Sequence, residues 1–525
     1  MVKVLISDRM SPKAAEIFRS RGVEVDEKPG LTKDELIAII GQYDGLAIRS
    51  ATKVTAEVLD AATRLKVVGR AGIGVDNVDV PAASARGIVV MNTPFGNAIT
   101  TAEHAIALMF ALARELPAAD ASTQAGKWEK NRFMGVELTG KTLGLIGCGN
   151  IGSIVADRAH GLRMKVVATD PFLTSERAAD LGVEKVTLDE LLARADFISL
   201  HTPLTDSTRN ILSRENLLKA KKGVRIINCA RGGLVDEEAL KELLDSGHVA
   251  GAALDVFADE PATASPLFGT PNFISTPHLG ASTEEAQVNV AIQVAEQMAD
   301  FLLSGAIQNA LNMPSVSAED APRLKPYMAL AEKLGALVGQ LETGDIRSIT
   351  VEAEGAAAEL NIKPITAAAV AGVMRAFSDT VNMVNAPFLA RERNIEVAEV
   401  RHERDTDYQT LLAVTIGTAT GDHRVVGTLF GAATPRLVEM MGIKVEADFA
   451  ARMLYIVNED KPGFIGRLGS TLGDAGVNIG TFHLGRRQAG GEAILLLSVD
   501  QPIPDPLMWE ICRLPGVRTV KALKF

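Results

Sequence analysis

Three polar residues, a cation, an acid and an imidazole, each follow a short apolar segment in the middle of the chain. Arg231 lies in INCARGGLVDE, Glu260 in LDVFADEP and His278 in STPHLGAST. A guanidinium can hold a carboxylate and an adjacent oxygen through two hydrogen bonds. An imidazole titrates near neutral pH, and a neighbouring carboxylate can orient the ring and stabilise its charged form. The three residues therefore predict a site that removes a proton and a hydride from a 2-hydroxy acid.

A second pattern, between Thr142 and Asp170, predicts the hydride acceptor. A strand-like run leads into three glycines with G-x-G-x-x-G spacing, and a second strand-like run ends at Asp170. The first glycine permits a tight turn, the second lets the backbone approach a pyrophosphate, and the third lets the helix pack closely on the strand. The acid can bind both ribose hydroxyls and repels a 2′-phosphate, so the pattern predicts NAD rather than NADP. The glycines are Gly147, Gly149 and Gly152.

Strand-like and helix-like segments alternate in two successive regions, which predicts two parallel-sheet α/β domains. Two long apolar-periodic helices, at about residues 100–115 and 282–303, flank the second region. We therefore expect an NAD-binding Rossmann domain (98–283) to be inserted into a substrate-binding domain (1–97 and 284–310). Ligands of such sheets bind at the carboxyl ends of the strands, so the predicted catalytic groups should face a cleft between the two domains.

The remainder of the chain predicts two further domains. Residues 310–326 contain three prolines and several small polar residues, which is typical of a linker. Residues 327–450 are rich in alanine and β-branched residues. An α+β domain is expected over residues 315–450, with His423 and Arg424 in a solvated turn. Residues 452–525 alternate as strand, helix, strand, strand, helix, strand, a ferredoxin-like pattern.

Composition limits the partners. The net charge is −11 and there is no basic block, which argues against nucleic acid or an anionic membrane as a partner. The three cysteines, Cys148, Cys229 and Cys512, are far apart and predict reduced cytosolic thiols without a disulfide framework or a metal site. The longest apolar helical run is too short to span a bilayer. We therefore expect a cytoplasmic protein whose main ligands are small molecules.

Several motifs together resemble the D-isomer-specific 2-hydroxyacid dehydrogenase family. They are GRAGIGVDNVD, NTPFGNAITTAEH, GLIGCGNIG, HTPLTDSTRN, INCARGGLVDEEAL, ALDVFADEP and PHLGAST. The resemblance implies that Arg231, Glu260 and His278 are the catalytic residues and that the cofactor is NAD. It also implies a set of cofactor-contacting positions, which include Arg231 and His278. The others are Ile73, Asn150, Ile151, Thr202, Cys229, Ala230, Asp255, Gly280 and Ala281.

The C-terminal extension resembles that of the family members that oxidise 3-phospho-D-glycerate to 3-phosphohydroxypyruvate at the entry to L-serine synthesis. Those members carry an intervening regulatory domain and an ACT domain, to which residues 315–450 and 452–525 would correspond. The resemblance implies the same reaction here, feedback by L-serine, and assembly into a dimer or tetramer. Two alternatives stay open: another D-2-hydroxy acid, as in a glyoxylate or hydroxypyruvate reductase, and an NAD-sensing binding protein without catalysis.

A phosphorylated substrate needs cations and N–H groups on the wall opposite the catalytic residues. The segment IRSATKV supplies Arg49 and Ser50, and GRAGIG supplies Arg70 and a glycine turn that includes Gly72. The resemblance adds Asn97, in FGNAITT, as a substrate-contacting residue.

The ACT resemblance implies an amino-acid site between paired domains. The turn after the first strand and the start of the second strand would build it, and there the chain has Asn458, Asp460 and Asn478. Carboxylate and amide groups suit the ammonium and polar ends of serine.

Overall fold

A computed structural model of the chain shows four β-sheets in succession along the sequence. It describes residues 1–317, 319–341, 346–378, 380–402, 408–419, 421–431 and 433–525. The predicted fold class is confirmed, because two parallel sheets with helices are followed by a mixed sheet and a ferredoxin-like sheet. Among the residues described, no helix is both long enough and apolar enough to cross a membrane.

The first sheet is parallel and has the strand order β2-β1-β3-β4-β5. Its strands are β1 (Lys3–Ile6), β2 (Glu24–Glu27), β3 (Gly45–Ile48), β4 (Val67–Arg70) and β5 (Val89–Met91). The helices between them are α1 (Lys13–Ser20), α2 (Lys33–Ile40), α3 (Ala56–Ala61) and α4 (Val80–Ala85). Thr32 and Glu35 form a capping box that fixes the start of α2.

The second sheet is also parallel and has the order β12-β11-β10-β9-β6-β7-β8. Its strands are β6 (Thr142–Ile146), β7 (Lys165–Thr169), β8 (Glu184–Lys185), β9 (Phe197–Leu200), β10 (Val224–Asn228), β11 (Val249–Leu254) and β12 (Phe273–Ser275). The helices of this region are α5 (Ala98–Arg114), α6 (Leu116–Gln124), α7 (Asn150–Gly161), α8 (Ser175–Asp180), α9 (Leu188–Arg194), α10 (Arg214–Lys219) and α11 (Glu237–Asp245). The strand order reverses between β6 and β9, which is where doubly wound sheets bind dinucleotides.

Two long helices carry the chain between the two sheets. Helix α5 leads into the second sheet and packs on its strands β10 and β11, while α12 (Glu284–Ser304) returns and packs on β3 and β4. Gly69 in β4 allows this close approach, because a Cβ there would lie 2.2 Å from the sulfur of Met298 in α12. The two helices thus place the carboxyl ends of both sheets on opposite walls of one cleft.

The third sheet is mixed, with the order β14-β13-β15-β16-β17-β18, and only β13 and β14 are parallel. Its strands are β13 (Ile346–Gly355), β14 (Glu396–His402), β15 (Thr410–Thr418), β16 (Asp422–Phe430), β17 (Thr434–Met440) and β18 (Ile443–Asp448). The accompanying helices are α13 (Ala321–Leu341), α14 (Ile362–Arg375) and α15 (Ala386–Glu392).

Two sequence-based predictions for this region are wrong. The linker predicted at 310–326 extends too far, because α13 begins at Ala321 and includes Pro326. His423 and Arg424 lie in strand β16 rather than in a solvated turn. Arg424 forms ion pairs with two glutamates of the same sheet. Its Nη1 lies 3.2 Å from Oε1 of Glu439 on the adjacent β17, and its Nε lies 3.3 Å from Oε1 of Glu352 on β13, two strands away.

The fourth sheet is antiparallel, with the order β20-β21-β19-β22, and confirms the predicted ferredoxin-like pattern. Its elements are β19 (Arg452–Glu459), α16 (Phe464–Asp474), β20 (Ile479–Arg486), β21 (Glu492–Val499), α17 (Asp505–Cys512) and β22 (Val517–Lys524). Strand β22 is held to α13 by Gln340, whose amide donates to Lys524 O and accepts from Lys524 N, both at 2.9 Å.

The buried apolar side chains do not form one separate core for each sheet. One continuous core contains Val4 and Met298 of the first sheet and its helix, Leu334 and Val370 of α13 and α14, and Leu496 of β21. The NAD-binding region instead buries its own side chains in two separate clusters on the two faces of the second sheet.

Candidate active site

His278 and Glu260 form a hydrogen-bonded pair in the cleft. His278 follows β12 with a left-handed backbone (φ 56°), and its Nδ1 lies 2.6 Å from Glu260 Oε2. The other carboxylate oxygen of Glu260 accepts the backbone N–H of Phe257 at 3.0 Å, which fixes the acid. Because Nδ1 faces an acceptor, it carries the ring hydrogen in the neutral imidazole, and Nε2 has a free lone pair. Nε2 is therefore the atom that can take a proton.

Asp255, directly after β11, holds the turn in which His278 lies. Its carbonyl accepts the backbone N–H of His278 at 2.9 Å, and its carboxylate accepts the N–H groups of Leu279 and Gly280, both at 2.7 Å. The carboxylate is fully buried. Burial would raise its pKa, but hydrogen bonds from His104, Thr276 and the two backbone amides outweigh that effect and lower the pKa of Asp255. The buried carboxylate thus stays charged and keeps the left-handed turn in place.

Arg231 reaches across the cleft from the turn after β10. Its Nε lies 3.2 Å from Asp76 Oδ2 in the first domain, and its Nη1 donates to Ala230 O at 2.7 Å. A Cβ on Gly74 would lie 1.9 Å from Arg231 Nη2, so a side chain there would displace the guanidinium from this position. The side chain of Asp76 is 80% exposed, so solvent screens this ion pair and a substrate carboxylate can replace Asp76 at the guanidinium.

A cavity of about 680 Å³ lies between the His278–Glu260 pair and the first sheet. All five predicted substrate-binding residues line it: Arg49, Ser50, Arg70, Gly72 and Asn97. Burial and then the nearby Arg231 lower the pKa of Arg70 to about 10. No described residue hydrogen-bonds to the buried Nε of Arg70. A cation with a buried, unused N–H donor favours an anionic ligand.

Arg49 is held by a buried acid that the sequence analysis did not identify. Asp8 accepts the backbone N–H of Arg49 at 2.6 Å and the hydroxyl of Thr52 at 2.6 Å. The guanidinium of Arg49 donates to Arg9 O at 3.2 Å. The turn that carries Arg49 and Ser50 is therefore fixed before any ligand binds.

A second cavity, of about 380 Å³, adjoins the first and shares Arg70, Asn97, His278 and Ala281 with it. It faces the carboxyl edge of the second sheet. The other predicted cofactor positions that line it are Ile73, Asn150, Ile151, Thr202, Cys229, Ala230, Arg231 and Gly280. His201, also in its lining, is buried enough that desolvation lowers its pKa to about 4, so its ring is neutral at pH 7.

The glycine turn between β6 and α7 fits a dinucleotide. Gly147 has φ +94°, and a Cβ there would lie 2.4 Å from His201 O; a Cβ on Gly152 would lie 2.3 Å from Gly147 O. By contrast, no described atom lies within 4 Å of a Cβ built on Gly149, which leaves room for a phosphate. The carboxylate of Asp170 accepts the N–H groups of Cys148 and Phe172, both at 2.8 Å, and each oxygen retains a lone pair for a ribose hydroxyl.

The predicted regulatory residues do not converge within one chain. Asn458 and Asp460 lie at one end of the fourth sheet, where Asp460 accepts from Arg486 Nη1 at 2.6 Å. Asn478 precedes β20 at the opposite end and donates to Asp500 at 2.7 Å. Asn458 pairs with Ala493 of β21, whereas the residue after Asn478 pairs with Val499, six residues or about 20 Å further along the strand.

Comparisons with known proteins agree with this architecture. The family model of the D-isomer specific 2-hydroxyacid dehydrogenase NAD binding domain matches residues 106–280. The model of the D-3-phosphoglycerate dehydrogenase intervening domain matches residues 323–441, and that of the ACT domain matches residues 452–516.

Proteins similar over the full length support the same conclusion. The chain is 45% identical to a D-3-phosphoglycerate dehydrogenase of Synechocystis, over 100% of this chain and 95% of that protein. It is 41% identical to the Bacillus subtilis D-3-phosphoglycerate dehydrogenase, over 100% and 99%. A glyoxylate reductase structure from Paecilomyes thermophila is 31% identical, covers 59% of this chain and 98% of its own, and has a TM-score of 0.55. The chain therefore belongs to the D-isomer-specific 2-hydroxyacid dehydrogenase family, in the branch of the long D-3-phosphoglycerate dehydrogenases, and is an NAD-dependent enzyme.

Proposed function

We propose that the protein oxidises 3-phospho-D-glycerate to 3-phosphohydroxypyruvate with NAD. The observation that carries this proposal is that the two adjoining cavities have cations both on the wall of the first sheet and on the wall of the second sheet. Arg49 and Arg70 lie on the wall of the first sheet, and the His278–Glu260 pair lies opposite, with Arg231 in the adjoining lobe. A substrate with an anionic group at each end matches that distribution of charge, and the relatives named for this substrate align along the full chain.

The residues of the chain define how the reaction proceeds. Arg231 holds the substrate carboxylate and the C2 oxygen, and Arg49 with Arg70 holds the phosphate. His278 Nε2 accepts the proton of the 2-hydroxyl group, and Glu260 stabilises the resulting imidazolium through Nδ1. Bound NAD supplies the hydride acceptor at its nicotinamide carbon.

The direct test follows NADH formation with 3-phosphoglycerate, using a reagent that traps the 2-oxoacid product. The same assay is repeated with a panel of D-2-hydroxy acids, and in reverse with glyoxylate and hydroxypyruvate. We expect 3-phosphoglycerate to give a kcat/KM at least about tenfold above the panel, since the phosphate adds a charge-assisted contact. Preference for glyoxylate or hydroxypyruvate would instead support the reductase alternative.

Replacing Arg49 by alanine should raise KM for 3-phosphoglycerate by about 10- to 100-fold, with little change in kcat, because a charged hydrogen bond to phosphate is lost. Unphosphorylated D-glycerate is the comparison substrate, and its kinetics should change little. Arg19→Ala is the matched control, because Arg19 is an exposed cation of the same domain that pairs with Glu27 at 3.0 Å. An equal loss on both substrates would contradict a role for Arg49 in phosphate binding.

We propose that L-serine regulates the enzyme at a site between two ACT domains. One chain would supply Asn458 and Asp460 and its partner copy would supply Asn478, because these residues lie at opposite ends of one sheet. Asn458 is 2% exposed, and no described group bonds to its Oδ1. L-Serine should lower the initial rate, and Asn458→Ala should raise the half-inhibitory concentration at least about tenfold. An equal effect of D-serine, or none of L-serine, would contradict the proposal.

We further propose that a second copy covers an apolar surface on the NAD-binding region. Its exposed side chains lie on α5, α6 and the segment before β6: Ile99, Phe110, Leu116, Trp128 and Met134. Several large apolar side chains exposed in one region favour burial against another protein surface. Light scattering should give at least twice the chain mass of 55.7 kDa, and Phe110→Asp should lower it. A monomeric mass for the unaltered protein would contradict this proposal.

A further inference from the structure

One face of helix α5 connects the substrate side of the cleft with the turn of His278. Asn97, Thr101 and His104 follow one another at i, i+4 and i+7, so they lie on the same face of the helix. Asn97 lines both cavities. Thr101 donates its hydroxyl to Gly280 O at 2.9 Å. His104 is thus the last polar residue on this face of α5, and the buried residues beyond it are apolar.

The imidazole of His104 lies against the buried carboxylate that holds the turn. Its Nε2 is 3.2 Å from Thr276 Oγ1 and 3.3 Å from Asp255 Oδ1. Thr276 uses its hydroxyl hydrogen on Asp255 Oδ1, at 2.6 Å, so its oxygen presents a lone pair to the ring. A carboxylate only accepts, and therefore Nε2 must carry the hydrogen and donate to both oxygens.

We propose that His104 is a positioning residue for the catalytic base. It acts through Asp255, whose carboxylate holds the backbone N–H groups of Leu279 and Gly280 next to His278. A non-glycine residue in a left-handed conformation persists only where its surroundings hold it. Loss of the His104 donor would leave a fully buried carboxylate under-solvated, and the turn would relax away from the geometry that aims Nε2 into the cleft.

The inference rests on the proposed function, because the base must have a hydroxyl proton to remove. A positioning role for His104 predicts kinetics that a purely structural role would not. His104 is not among the residues lining either cavity, so its loss should leave ligand binding intact and slow the chemical step. A positioning role also predicts that a side chain with an N–H at the same distance restores kcat.

The experiment compares His104→Leu with His104→Gln. We expect His104→Leu to lower kcat about tenfold, with KM for 3-phosphoglycerate and NAD within about twofold of the original values. His104→Gln should restore most of kcat, because the amide can donate to Asp255 and Thr276. With substrate deuterated at C2, the isotope effect on kcat should rise in His104→Leu. Without cofactor, diethyl pyrocarbonate should modify His278 several-fold faster in His104→Leu, as read by peptide mass spectrometry.

His160→Leu is the matched control, because His160 is a half-buried histidine of the same region whose Nε2 lies 3.0 Å from Leu181 O, away from both cavities. It should leave kcat unchanged. If His104→Leu fails to fold, Thr276→Val removes the hydroxyl that donates to Asp255 and accepts from His104, and it should also lower kcat. Equal kcat values for His104→Leu and the original protein would overturn the inference, as would equal losses in the leucine and glutamine variants. Absence of turnover by the original protein would refute the proposed function instead.

Discussion

Replacing His278 by glutamine should lower kcat by about 100- to 10,000-fold, the range that general-base catalysis supplies. The base is lost because the amide nitrogen or oxygen at this position cannot take up the hydroxyl proton at neutral pH. Fluorescence titration with NADH should give an affinity within about twofold of that of the original protein, since His278 lies at the border between the second cavity and the first. Rapid-quench measurement of a single turnover should place the loss in the chemical step.

Two comparisons sharpen this prediction. Glu260→Gln should cause a smaller loss, about 10- to 100-fold, because the neutral amide still contacts Nδ1 but no longer stabilises the imidazolium. His248→Gln is the control, since His248 directly precedes β11, at the opposite edge of the sheet from His278, and its ring Nε2 lies 3.0 Å from Leu217 O. Turnover by His278→Gln above about a tenth of the original would contradict the assignment of the base.

Replacing Arg231 by lysine should lower kcat/KM by about 100-fold or more, although the positive charge is retained. An ammonium group cannot hold a carboxylate and the C2 oxygen through two parallel hydrogen bonds, and it cannot span the cleft to Asp76 in the same way. Arg231→Gln should lose more, because the charge is also removed. The measurement is initial rate against substrate concentration at saturating NAD.

The control for Arg231 is Arg214→Lys, a change on the surface of the same region. Arg214 pairs with Glu242, with its Nη2 at 2.7 Å from Oε1, and the side chain of Arg214 is 58% exposed. That pair should contribute little, and kcat/KM should stay within about twofold. If Arg231→Lys behaved like Arg214→Lys, the carboxylate would have to bind elsewhere, and Arg70, which lines both cavities, would be the candidate cation.

The sequence predicted most of the fold and the convergence of the site because both follow local rules. The strands preceding Arg231, Asp255 and His278 are adjacent in a parallel sheet, so their carboxyl ends must meet. The glycine spacing determines the nucleotide turn for the same reason: Gly147 and Gly152 each lie where a side chain would collide with backbone.

Contacts between segments far apart in sequence could not be predicted in that way. Asp76 lies within the motif GRAGIGVDNVD, but its pairing with Arg231 depends on how the two domains face each other. Likewise, the contact of His104 with Asp255 depends on the rotation of α5 about its own axis. In the C-terminal half, the partners of Arg424 are glutamates on other strands, and strand pairing cannot be deduced from alternating polar residues alone.

The distribution of apolar cores has a consequence for movement. The wall that carries Arg49 shares one unbroken apolar interior with the two C-terminal sheets, whereas the nucleotide-binding unit is packed only on itself. We therefore expect any opening of the cleft to be a rotation of the nucleotide-binding region, about α5 and α12, relative to a single larger body. We expect a small molecule that rigidifies the C-terminal sheets to act first on the wall that carries Arg49, and to lower kcat without changing the affinity for NAD.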